Sequence, residues 1–101
     1  MKIVTFNEFD ESLIDSKHTV EHYNSGSDGD AVVAIIDINT IFDFEENKSN
    51  ACEDKFVSIA IIEDDSDYEA FKNFGIDAWI KADDLSEING LLNLIEKRSF
   101  S

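Results

Sequence analysis

The sequence predicts an α/β domain: an open, mostly parallel β-sheet with helices on both faces. Two observations carry that expectation. AVVAII (31–36) and FVSIAII (56–62) are continuous apolar runs, the pattern of strands covered on both sides, where a half-exposed strand would alternate. Amphipathic stretches with capping residues then alternate with strand-like runs, giving the order β-α-β-β-(α)-β-α-β-α. With 101 residues, 43% of them hydrophobic, the chain can build a single core and makes one domain, residues 1–101.

Taken in order, KIVTF (2–6) is rich in β-branched and aromatic types and predicts a first strand. Asn7 offers a helix cap, and Phe9, Leu13 and Ile14 give a short helical face. TVEHY (19–23) alternates as an edge strand does, and NSGSDGD (24–30) is a turn-rich loop. After AVVAII, residues 38–48 predict a short helix around Ile41, Phe42 and Phe44, and 45–55 resembles a linker. Ser66 and Glu69 form a capping box, followed by Tyr68, Phe71 and Phe74 at helical spacing and Gly75 as a C-terminal cap. Ala78–Ile80 is a short strand. Asp84 and Glu87 open a last helix with Leu85, Ile88, Leu91, Leu92 and Ile95 on one face, closed by Lys97 and Arg98.

A net charge of −15 repels phosphate backbones, so direct nucleic-acid binding is not expected. It favours divalent cations or basic protein partners, including the option of an acidic decoy for a basic groove. No apolar run approaches the ~18 residues of a membrane span, so no membrane contact is expected. MKIVTFNEFD lacks the features of a signal peptide, and Cys52 is the only cysteine; a reducing cytoplasm is the expected location. Cys52 has no CxxC partner, which argues against a thioredoxin-like redox role. His18 and His22 lie four apart, but His22 falls in a predicted strand, so helical metal-ligand geometry fails.

In sheets of this kind ligands bind beyond the carboxyl ends of the strands. Those ends carry Asn7 with Glu8, Asp37, Glu63 with Asp64, and Lys81. KIVTFNE, VVAIID and the stretch from Phe56 to Arg98, with GIDAW inside it, together resemble the receiver domain of bacterial response regulators. That resemblance implies a flavodoxin-like, doubly wound parallel sheet of five strands. It implies Asp37 as phosphoacceptor, Lys81 as the lysine that binds phosphoryl oxygens, and a magnesium ion held by Glu8, Asp37 and Asn7. It further implies a signalling kinase or downstream target as protein partner through residues 66–98, a surface that receivers also use for homodimers. An aromatic at Trp79 is the family's conformational reporter.

The sequence departs from the pattern in five respects. Asn7 is neutral where a carboxylate is expected, and Ile62 and Glu63 stand where a serine or threonine should end the fourth strand. Ala82 follows Lys81 in place of proline, and Lys81 arrives one residue early relative to Trp79, which would turn it to the other face. The stretch from Asn7 to Asp37 is short, with NSGSDGD in place of the second helix. The expectation is an abbreviated receiver-like module acting through protein contact, not an enzyme, with phosphorylation of Asp37 reduced or lost. The alternative is a working magnesium-dependent phosphoacceptor.

Overall fold

The computed structural model describes residues 1–24, 26 and 29–100. AVVAII forms the central strand: β3 (Ala31–Ile36) lies between β1 (Lys2–Thr5) and β4 (Cys52–Ile62). Outside them run β2 (Thr19–His22) beside β1 and β5 (Ala78–Lys81) beside β4, in the order 2-1-3-4-5. All four pairings are parallel, and helices lie on both sides. This is the abbreviated flavodoxin-like, doubly wound sheet that the sequence predicts.

The register explains why the inner strands need apolar residues at every position. Ile3↔Val33, Ile35↔Ile59 and Ile61↔Ile80 bring one set of side chains to the same face. They bury against Ile88, Leu92 and Ile95 of α3 (Ile88–Ser99). The alternate set, Val4, Ala34, Ile36, Ala60 and Ile62, buries against Ile41 and Phe44 of α1 (Ile41–Ala51) and Phe71 of α2 (Asp65–Phe71). Five of the six β3 residues are buried and Val32 is partly buried, so its sequence does not alternate with polar residues.

Four local expectations are corrected. The first helix is a single 3-10 turn, Glu11–Leu13, capped by Asp10, whose Oδ1 accepts from the Ser12 N–H. Asn7 caps nothing; it is buried at the end of β1. The turn is held from α3, where Asn89 accepts from the Asp15 N–H at 2.7 Å and donates to the Leu13 carbonyl at 2.9 Å. Second, residues 45–55 are no linker: α1 runs to Ala51 and β4 starts at once at Cys52, pairing with Ala31. The register then slips, with Val33 opposite Val57, so Glu53, Asp54 and Lys55 bulge out and stay exposed.

Third, Asp64 and not Ser66 caps α2. Its carboxylate accepts the Ser66 and Asp67 N–H groups and the Ser66 hydroxyl, which together hold it below its ordinary pKa. Fourth, residues 82–87 form 3-10 turns that place Asp84 ahead of α3, and Glu87 stands at the N-cap position of α3 without a side-chain cap hydrogen bond.

Between β2 and β3 no helix is found among the described residues; Ser25, Ser27 and Asp28 of the predicted loop lie outside them. Where a second helix would cover the sheet, Tyr23 stacks on Phe6 at 4.8 Å and donates its hydroxyl to Asn47 Oδ1 on α1 at 3.2 Å. Gly29 ends this loop at φ 73°, and a Cβ there would sit 2.9 Å from the Asn50 carbonyl oxygen. Gly29→Ala therefore combines a left-handed backbone with a backbone clash, and urea unfolding is expected to show a loss of about 1–3 kcal/mol. Gly75, at φ 67° with open space around its Cβ position, serves as the smaller comparison.

Candidate functional site

β1 and β3 are the neighbours at which the chain direction around the sheet reverses, so their carboxyl ends frame the crevice of this fold. Thr5 pairs with Ile35, which sets Asn7 level with Asp37 two positions farther on. The register thus sets these two residues just past neighbouring strand ends. Asn7 is only 7% exposed, and among the described residues its Oδ1 has no hydrogen-bond partner.

The Asp37 carboxylate is already engaged. Its Oδ1 accepts the Asn39 N–H and the Thr40 hydroxyl, both at 3.0 Å, and Thr40 Oγ1 accepts the Asp37 N–H at 3.0 Å. The Thr40 N–H closes the turn on the Asp37 carbonyl. An aspartate followed by threonine three positions on is a local turn device that feeds the chain into α1. Thr40 is the site residue that the sequence reading missed, although the D-x-x-T spacing carries the signal.

Lys81 is not brought to Asp37. It pairs with Ile62, while Asp37 is level with Ile61, so Lys81 sits two strands across, roughly 10 Å, and one step outward. It also shares the pleat face of Trp79 and Ile62, toward α2, while the Asp37 carboxylate is turned to Asn39 and Thr40 at the start of α1. Lys81 is exposed and makes no ion pair among the described residues. Glu8 is exposed beside Asn7. Glu63 is exposed beyond β4, its N–H donating to Asp67 Oδ2 at 2.9 Å.

The oxygens at this end do not make a good magnesium cage. Among the described residues no three His, Cys, Asp or Glu side chains come together to hold a metal ion. What stands at the crevice is one amide oxygen, on Asn7, beside a carboxylate that has one oxygen already taken up. Magnesium favours near-octahedral oxygen coordination with carboxylate charge.

Two concavities among the described residues lie elsewhere. One, of about 630 Å³, is lined by Glu11, Ile14, Asp15 and His18; the other, of about 250 Å³, by Val57, Asp77, Leu91, Leu94 and Arg98. His18 is buried, with Nδ1 accepting from the Met1 ammonium at 3.0 Å. Burial first, then that ammonium, pushes its pKa down. Burial lifts the Cys52 thiol to about 11, which leaves it un-ionised and unreactive.

Aromatic side chains gather on the α1–α2 flank. Tyr68 leans on Trp79 at 5.1 Å, and Phe42 meets Phe74 edge-on at 5.9 Å. No helix of the described residues is long and apolar enough to cross a membrane. No protein family, curated protein or solved structure matches this chain at a significant level.

Proposed function

We propose that this chain is a receiver-like signalling module that works by protein–protein contact, with phosphoryl transfer to Asp37 reduced or lost. The observation that carries the reading is the split at the carboxyl edge of the sheet. The 2-1-3-4-5 parallel order puts Asp37 just past the end of the central strand, yet its carboxylate serves the Thr40 turn and Lys81 lies two strands across, on β5.

Acyl-phosphate formation requires a carboxylate oxygen to attack phosphorus while the leaving group departs with the electron pair. The negative charge on the transferring group must be neutralised as this happens, by metal or lysine. Asn7, Glu63 and a displaced Lys81 supply little of that neutralisation. The docking surface in this reading is α2, β5 and α3 within residues 66–98, where Tyr68 and Leu94 are exposed.

Incubating the chain with acetyl phosphate and magnesium, followed by intact-mass measurement, tests the proposal. The expected result is little or no phosphoryl adduct. A stoichiometric adduct that Asp37→Asn removes would instead establish the magnesium-dependent phosphoacceptor.

A further inference from the structure

Phe42 is 71% exposed, the most exposed large apolar side chain among the described residues. Its helix does not require it: Ile41, Phe44 and Ala51 make the buried stripe of α1, and Phe42 falls outside that stripe. Scattered exposed hydrophobics are ordinary, but this ring is held against Phe74 from the turn that ends α2. On the same flank Tyr68, 41% exposed, leans on Trp79. Four aromatic rings from α1, α2 and β5 thus stand at or near one surface.

The helices that carry these rings are acidic. α1 bears Asp43, Glu45 and Glu46, and α2 bears Asp65, Asp67 and Glu69. The lysines of α1 and of the turn after α2 are already neutralised, Lys48 by Glu45 at 3.0 Å and Lys72 by Glu69 at 3.5 Å. The surface therefore couples apolar rings with surplus negative charge.

We infer that the Phe42–Phe74 pair is the anchor of a docking site for a cationic amphipathic segment of another protein. An apolar side chain of that segment would pack on the two rings, and lysines or arginines would face Asp43 and Glu46. Charge selects this occupant. A second copy would bring −15 against −15, and nucleic acid or anionic lipid would bring phosphates to an acidic face. The inference rests on the reading of the chain as a docking module, adds the partner's chemistry, and moves the anchor to the α1–α2 flank.

The test is a titration of the 15N-labelled full chain with a synthetic helical peptide of leucine and lysine near physiological salt. There the screening length is about 8 Å and loose charge attraction is weak. Saturable shifts at residues 41–46 and 67–75 are expected. Phe42→Ser should weaken binding at least roughly tenfold, as loss of a central aromatic anchor does. Ser16→Ala, exposed in the segment before β2 and outside both docking surfaces, should leave binding unchanged, and a leucine–glutamate peptide should not bind. Phe42 is too exposed for its loss to unfold the chain. The inference is overturned by absence of saturable binding, by indifference to Phe42→Ser, or by self-association through these residues. Shifts centred on Leu94 and β5 would also overturn it while leaving the docking reading in place; a stoichiometric Asp37 adduct would instead remove the reading beneath it.

Discussion

Phe71→Ala is expected to lower the unfolding free energy by about 3–5 kcal/mol, the cost of deleting a fully buried aromatic. Phe71 is 0% exposed and is the only buried residue of α2. A seven-residue helix has no stability of its own, since isolated helices below ~12–15 residues are marginal in water. What holds α2 to the sheet is this ring, packed in the cluster that contains Ile36, Ile62 and Ile76. Domains of this size have about 5–15 kcal/mol in total, so the variant stands close to unfolding at room temperature. Urea denaturation of Phe71→Ala and Phe71→Leu checks it: the leucine variant, which keeps most of the apolar volume, should lose far less. A loss below about 1 kcal/mol for the alanine variant would mean that α2 is held by its polar cap and not by its core contact. Because Tyr68 and Phe74 ride on this segment, Phe71→Ala should also weaken leucine–lysine peptide binding without touching Phe42.

The strands were legible where burial dictates composition. β3 spans Ala31–Ile36 as the sequence implies, because a strand covered on both faces has no position for a polar residue. β4 was legible only from Phe56, since its first residues, Glu53 to Lys55, belong to a bulge whose charges hide the pairing of Cys52 with Ala31. α1 was blurred because Phe42 breaks the apolar stripe. That same misfit is what makes Phe42 a candidate for contact with a partner.

The helix starts failed for a different reason. Asp64 and Ser66 can both cap, and the carboxylate, with more acceptor capacity than a hydroxyl, takes the N–H groups of the first turn. At the site, the sequence order of strands and their ends was enough to place Asn7 and Asp37 just past strand ends. It was not enough to reveal that Thr40 occupies the Asp37 carboxylate, because that contact depends on how the chain turns after β3. For Lys81 the strand pleat sets the side: it alternates with Ile80 and shares the face of Trp79.

Asp77→Ala is expected to cost about 1–2 kcal/mol, through groups on the neighbouring strand. β5 begins at Ala78, paired with Ile59, so Ser58 lies one position before β4 finds a strand partner on that side. Asp77 stands in for the missing strand: its Oδ2 accepts the Ser58 N–H at 2.9 Å and the Ser58 hydroxyl at 3.1 Å. In return the Asp77 N–H donates to Ser58 Oγ at 3.1 Å. Ser58 is only 3% exposed, so removing the carboxylate leaves two buried donors without their acceptor. Asp77→Asn keeps an acceptor oxygen and removes one charge from an already acidic chain, so it should be close to neutral. A double-mutant cycle separates the contact from the charge: Ser58→Ala should cost less in the Asp77→Ala background than alone, with a coupling of about 0.5–2 kcal/mol. If Asn and Ala cost the same, the carboxylate acts through its charge and not as a surrogate strand. The readout closest to function is Trp79, two residues along β5. Its fluorescence should shift toward that of a solvated indole in Asp77→Ala but not in Asp77→Asn, because the edge strand that holds it against Tyr68 starts at this contact.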